Sequence, residues 1–426
     1  MKIVIHGGTV VDPANKLEAV RDLLIEDGLI RAIDKPGSFF GVGDTGIEAS
    51  GLIVTPGFID MHVHLREPGY EYKETVLTGT QSAVAGGFTA VACMANTNPV
   101  NDNGSVTRYI IEKAQAAHLA RVFPIGALSK QLKGEELADI GEMVEAGAVA
   151  ISDDGRPVMD TNLMRRALEY CSMFKVPVSV HEEDLHLAAG GVMNEGPTAL
   201  RLGLKGIPNA AEDVMVARDI ALARLTGGRL HIAHVSTRGA VALVRQAKAE
   251  GLAVTAEATP HHFSLTEEAV DGYNTNAKMA PPLRAAQDLE ALKEGLRDGT
   301  IDVIATDHAP HHRDEKEVEF DQAANGIIGL ETALPLTLKL VRAKVLSLSQ
   351  ALSKLTLHPA RILGFPYGTL SPGAPADVVL FDPARQWRIE SETLRSKSKN
   401  TPFGGWELTG KVILTMVGGR VVYEGR

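Results

Sequence analysis

Gly51-Leu-Ile-Val-Thr-Pro-Gly-Phe-Ile-Asp-Met-His-Val-His64 decides how this chain is read. The run is apolar, rich in β-branched residues and bounded by Gly and Pro, which predicts a strand. Residues two apart on a strand point the same way. His62 and His64 therefore face one point in space. On a helix each residue turns by roughly 100°, so the pair would diverge by about 200°. Two imidazoles side by side on a strand suit a metal ion.

The same texture recurs downstream. Apolar runs occupy Gly57–His64, Phe88–Met94, Val122–Ala127, Ala148–Ser152, Pro177–His181, Arg229–His234, Ala253–Ala258 and Asp302–Thr306. Helical patterns lie between them, at Thr75–Ala85, Ser105–Ala117, Leu163–Met173, Ala210–Thr226 and Val241–Lys248. Eight strands alternating with helices over residues 55–365 predict a (β/α)8 TIM-like barrel, an α/β fold. A doubly wound open sheet competes, but no Gly-x-Gly-x-x-Gly follows an early strand. His311–Gly326 reads as a long loop after the eighth strand, a candidate lid.

Both ends of the chain look different. Residues 1–54 carry short strands at Lys2–Ile5, Thr9–Val11, Asp22–Glu26, Leu29–Ile33 and Leu52–Val54. Residues 366–426 carry Ala376–Phe381, Val412–Val417 and Arg420–Tyr423. Chain termini often lie close together, so the two ends are expected to form one small β domain.

Composition narrows the function. The chain has 426 residues, 44% hydrophobic and 23% charged, ordinary for a globular protein. A net charge of -10 argues against non-specific nucleic-acid binding, which favours basic patches. No run of 18 apolar residues predicts a membrane span, and Met1 to Gly8 reads as a strand and turn rather than a signal peptide. Cys93 and Cys171 stand alone, which excludes a disulfide framework and fits a reducing cytoplasm.

Polar residues gather at the ends of the predicted strands. These are His62, His64 and Arg66 on the first, Asn96 on the second and Asp153 and Asp154 on the fourth. His181 ends the fifth, His234 the sixth and Asp307 the eighth. The C-terminal ends of barrel strands carry the active site. Imidazoles and carboxylates suit zinc and related divalent metals. Four histidines and two carboxylates exceed the needs of one tetrahedral ion. They suit two ions about 3.5–4 Å apart, bridged by a carboxylate and a hydroxide, and hence metal-assisted hydrolysis.

Asp153 and Asp154 point to opposite sides, and spacing does not choose between them. By the same alternation His231 points away from His234 and is structural. His261, His262, His308 and His312 stay open, with His308 suited to supporting a ligand. His6, His118, His186 and His358 are expected to be ordinary. The Arg66 guanidinium suits a substrate carboxylate held by two parallel hydrogen bonds, or else a salt bridge at the barrel rim.

Together these residues resemble the amidohydrolase superfamily and, more closely, its type I dihydroorotases, over essentially the whole chain. The carriers are Asp60-Met-His-Val-His-Leu-Arg-Glu-Pro-Gly69, Asn96-Thr-Asn-Pro99, Ser152-Asp-Asp-Gly155, Val180-His-Glu182, His234-Val-Ser-Thr237 and Thr306-Asp-His-Ala-Pro-His311. The resemblance implies two zinc ions per chain. His62, His64 and Asp307 would bind one, His181 and His234 the second, and Asp154 with hydroxide would bridge them. Asp307 would double as general base and acid. Substrate contacts map to His64, Arg66, Asn96 and His311, with Asn325 and Gly326 in the lid. The implied reaction is the reversible hydrolysis of dihydroorotate to carbamoyl aspartate, the third step of pyrimidine synthesis.

Two rival readings follow from the same resemblance. A hydantoinase or allantoinase would carry a carboxylated lysine as the bridge, and no lysine lies between Gly134 and Asp160. An inactive paralogue scaffolding an aspartate transcarbamoylase would have lost ligands, and this chain keeps the full set. Association with that transcarbamoylase, or with further copies of the chain, is left open. One departure concerns substrate: Ala280 stands where the family places an asparagine that touches it.

Overall fold

In the computed structural model, which describes residues 1–425, every predicted run of the central region is a strand. The barrel strands are β1 (Phe58–Val63), β2 (Phe88–Cys93), β3 (Arg121–Gly126), β4 (Ala150–Ile151), β5 (Val178–Val180), β6 (Leu230–Ile232), β7 (Val254–Ala258) and β8 (Val303–Ile304). They pair in parallel in chain order. A parallel bridge between Val63 and His308 completes the ring, with the His64 amide donating to the His308 carbonyl at 2.8 Å.

The strand interiors are Val91, Ile151, Ile232, Ala256 and their neighbours, fully buried. Burying a large aliphatic side chain stabilises by about 1.5–3 kcal/mol. A polar group left unpaired in the same place destabilises comparably. Every buried polar residue at the strand ends therefore needs a partner or a purpose.

Helices Val76–Ala85, Gly104–Ala117, Thr161–Phe174, Ala210–Thr226 and Arg238–Ala249 cover the barrel as the pattern predicts. Several start on side-chain caps. Asn103 accepts from the Ser105 and Val106 amides, and Thr237 accepts from the Ala240 amide. Helices Ala286–Asp298 and Ala333–Arg342 went unanticipated. No helix among the described residues is long and apolar enough to cross a membrane, and both cysteines are buried and free.

The two chain ends share a second sheet, as expected. Its order runs Arg420–Glu424, Glu407–Val417, Val378–Arg388, Ile53–Pro56, Lys2–Asp12, Leu17–Glu26 and Leu29–Asp34, with Thr45–Glu48 also on Lys2–Asp12. The ends meet where Val378–Phe381 runs antiparallel to Ile53–Pro56. The first two predicted strands are one, with an irregularity between Ile5 and Gly8.

Two features differ from a plain barrel with a β domain. The loop His311–Gly326 contains a short helix, Arg313–Lys316, capped by His312. Residues 396–401 leave the sheet and lie against the barrel mouth. There the Ser396 hydroxyl donates to Glu74 Oε2 at 2.5 Å, and the Ser398 hydroxyl to the Lys73 carbonyl at 2.7 Å.

Candidate metal centre and active site

The strand ends bring six predicted residues together. His64 Nε2 lies 3.0 Å from Asp307 Oδ1 and 3.5 Å from Asp154 Oδ2. His234 Nε2 is 3.2 Å from Asp154 Oδ1. His181 Nδ1 is 3.0 Å from His234 Nε2 and 3.8 Å from Asp154 Oδ1. His62 Nε2 stands 3.4 Å from both Asp154 Oδ1 and Asp307 Oδ1. It is wholly buried, yet it has no hydrogen-bond partner.

Those distances have a physical meaning. Two ligands about 2.1 Å from one tetrahedral ion stand about 3.4 Å apart. The donor atoms fall into two sets, His62-His64-Asp307 and His62-Asp154-His234. His62 thus sits between the carboxylates rather than on one side only.

Charge tells the same story. Burial alone would neutralise Asp154, but His62, His234 and His64 hold its carboxyl well below the usual range. Burial likewise works against Asp307, and His62 and His64 outweigh it. His62 is pushed the other way: burial disfavours its charge, yet Asp154, Asp307 and Glu257 hold its pKa well above the ordinary value. His181, pulled down to about 4 by burial and by His234, keeps a free lone pair at neutral pH. A cluster that keeps its carboxylates ionised and draws protons onto a buried imidazole demands positive charge. The donor set and the orphaned His62 Nε2 fit divalent cations.

Backbone conformation aims these groups. Arg66, His234 and Asp307 have φ of 63°, 30° and 46°, the left-handed region that non-glycine residues seldom occupy and that clusters at functional sites. These turns defeat simple strand alternation. β6 ends at Ile232, so His231 does not point away from His234. Both belong to the barrel interior: His231 Nε2 lies 3.1 Å from Glu257 Oε2, and the His234 amide donates to Glu257 Oε1 at 3.2 Å. Asp153 faces away from the cluster and accepts from the Leu128 and Ser129 amides at 2.7 and 3.0 Å.

Glu257, on β7, is the residue the sequence reading missed. Its Oε1 is 2.7 Å from His62 Nδ1, which keeps a proton on Nδ1 and makes Nε2 the atom where a cation would replace a proton. Burial opposes its charge, but His62 and His231 keep the carboxyl well below its ordinary pKa. A lone acid within Val254-Thr-Ala-Glu-Ala258 was the available signal.

A cavity of about 270 Å³ opens over the cluster, lined by Arg66, Asn96, Glu183, Ala280, His311 and Asn325 among others. Arg66 is only 8% exposed. Its Nε donates to the Pro310 carbonyl at 3.1 Å and its Nη2 lies 3.2 Å from His311 Nε2. It forms no ion pair among the described residues, so the rim salt bridge is not found. Burial pulls His311 down to about 4. Its neutral ring meets Glu315 Oε2 through Nδ1 at 3.1 Å, which leaves Nε2 to accept from Arg66. Asn96 Oδ1 steadies His64 Nδ1 at 2.9 Å. Gly326 does not line the cavity; it packs behind His311.

The open histidines also resolve. His308 Nε2 faces Glu74 at 3.4 Å, and its Nδ1 accepts from the Gly329 amide. His262 bridges Thr259 and the Pro281 carbonyl. His261 is buried beside it with Nε2 unpartnered.

Comparison with known proteins agrees with the geometry. The amidohydrolase family model matches residues 53–422. The chain is 58% identical to the dihydroorotase of Geotalea daltonii, covering 100% of both. It is 57% identical to that of Syntrophotalea carbinolica, covering 100% of this chain and 99% of the relative. Among solved structures, the L-hydantoinase (dihydropyrimidinase) of Arthrobacter aurescens superposes with a TM-score of 0.89 at 27% identity. That match covers 99% of this chain and 96% of the other.

Proposed function

This chain belongs to the amidohydrolase family and, within it, to the dihydroorotases, and from that premise we propose how its residues open and close the dihydroorotate ring. The carrying observation is the buried Arg66 guanidinium, without an ion pair among the described residues, beside a buried cluster of four histidines and two aspartates.

His62, His64, Asp154, His181, His234 and Asp307 would hold two zinc ions. Divalent ions held there supply a Lewis acid and acidify water. Arg66, with Asn96 and His311, holds the substrate carboxylate and so places the ring amide over the cluster. Asp307 accepts a proton from the attacking water. The water oxygen joins the carbonyl carbon, the carbon–nitrogen bond breaks, and Asp307 returns the proton to the leaving nitrogen. Ring closure runs the same steps backwards.

The solved structures this chain resembles include hydantoinases, so substrate choice needs its own argument. The cavity over the cluster is lined by Asp154 and by no lysine, and Arg66 expects a carboxylate that hydantoin and allantoin lack. The expected result is turnover of dihydroorotate far above that of either ring. Hydrolysis of hydantoin or allantoin alone would refute the substrate assignment. Metal analysis should find about two zinc ions per chain. Less than one, with no activity after added zinc, would favour the scaffold reading.

Glu257→Gln tests the metal assignment without relying on activity. Glutamine keeps the shape but loses the charge that fixes His62. Partners of metal-bound histidines typically change metal affinity by about 10- to 100-fold. Competition with a chelator should show such a loss, and unchanged affinity would remove Glu257 from the centre.

A further inference from the structure

Asn400 lies 89 residues beyond His311 in sequence, within the stretch 366–426 expected to belong to the β domain. It is nevertheless 4% exposed and wedged into the barrel mouth. Its Oδ1 accepts from the His311 amide at 3.0 Å. Its Nδ2 donates to the Ala309 carbonyl at 2.9 Å and the Gly326 carbonyl at 3.0 Å. One side chain therefore ties residues 309–311, where the lid begins, to Gly326, where it ends.

The segment it grips in turn grips Arg66. The Pro310 carbonyl accepts from Arg66 Nε, and His311 Nε2 meets Arg66 Nη2. Pro310 stands between the two residues that Asn400 fixes. Displacing Asn400 would release both contacts that aim the guanidinium.

The surrounding chain is built for this closeness. Gly326 sits where a Cβ would come within 2.6 Å of both the Ala309 carbonyl oxygen and His311 Cδ2. Lys316 Nζ donates to the Ala324 carbonyl at 2.7 Å and the Gly326 carbonyl at 3.2 Å, closing the lid on itself. The strap that delivers Asn400 is anchored independently, through Ser396 and the Lys397 amide on Glu74, and the Asn400 carbonyl accepts from the Ile328 amide at 3.0 Å.

We propose that Asn400 is a positioning residue for substrate: through residues 309–311 it holds the Arg66 guanidinium in the orientation that receives the substrate carboxylate. The proposal rests on the assignment of Arg66 to that carboxylate. It gives the C-terminal strap a part in substrate recognition.

A double-mutant cycle on the full chain, loaded with zinc, tests it with dihydroorotate. Asn400→Ala removes three hydrogen bonds in a buried site, so KM should rise about 10- to 100-fold. Because the metal cluster is untouched, kcat and zinc content should stay near wild type. In an Arg66→Ala background the same substitution should add much less than it does in wild type, the remainder passing through His311, whose amide Asn400 also holds. Asn400→Asp, which keeps the shape and turns two donors into an acceptor, should shift KM in the same direction; it serves if the alanine variant fails to fold. Three results would overturn the proposal. One is an unchanged KM in both variants. Another is an equal fall in kcat, and the last is an undiminished effect without Arg66. If Arg66→Ala alone leaves KM unchanged, the carboxylate assignment itself is what fails.

Discussion

Asp307→Asn should lower kcat for dihydroorotate by about a thousandfold, since a positioned acid and base contributes about 10²–10⁴. The carboxylate sits at the end of β8 on a left-handed backbone turn, φ 46°. Its Oδ1 lies 3.0 Å from His64 and 3.4 Å from His62. The surrounding histidines keep it ionised against burial. It is therefore ionised in the resting site and able to accept a proton. Asparagine preserves volume and one oxygen, and it fits the same turn, because Asn tolerates left-handed conformations well. The amide cannot take a proton from water or return one to nitrogen. The variant should melt as one cooperative unit and still hold zinc through the other five ligands, more weakly. Zinc content and kcat must be read together. A variant that binds zinc and keeps more than about a tenth of wild-type kcat would remove Asp307 from proton transfer.

The strands of the barrel were legible because their signal is local. Each is a short apolar run, and six of the eight end in polar residues that the interior would not tolerate without purpose. That is why His62, His64, His181, His234 and Asp307, scattered over 246 positions, can be gathered from the sequence together with one of Asp153 and Asp154. Alternation failed where the strands stop. It set His231 against His234, but two residues past Ile232 the backbone adopts a positive φ and the rule no longer applies. It also left Asp153 and Asp154 equal, and only tertiary contacts separate them: Asp153 is consumed by the amides of residues 128 and 129. Glu257 was passed over for lying inside a strand rather than at its end. Asn400 was invisible for a different reason. Its partners are backbone groups of residues 309, 311 and 326, and a hydrogen bond to a distant carbonyl leaves no trace in spacing.

The second large effect separates this chain from the hydantoinases whose fold it shares. Arg66→Ala should raise KM for dihydroorotate by about 10²–10³-fold, since truncating one partner of a buried charge pair costs about 2–5 kcal/mol. The guanidinium is buried, held by Pro310 and His311, and free of any carboxylate among the described residues. Without it the substrate carboxylate would lose its one guanidinium partner in the cavity wall. His311 could not replace the lost positive charge, because its ring is neutral at working pH. Dihydrouracil has the same ring amide and no carboxylate, so the alanine variant should handle it no worse than wild type does. Arg66→Lys should recover part of the loss and not all, because an ammonium offers a point charge where the planar fork offers two parallel hydrogen bonds. The discriminating quantity is the ratio of kcat/KM for dihydroorotate to that for dihydrouracil. If the ratio is the same in Arg66→Ala as in wild type, Arg66 does not read the carboxylate, and the specificity for dihydroorotate must come from elsewhere in the cavity.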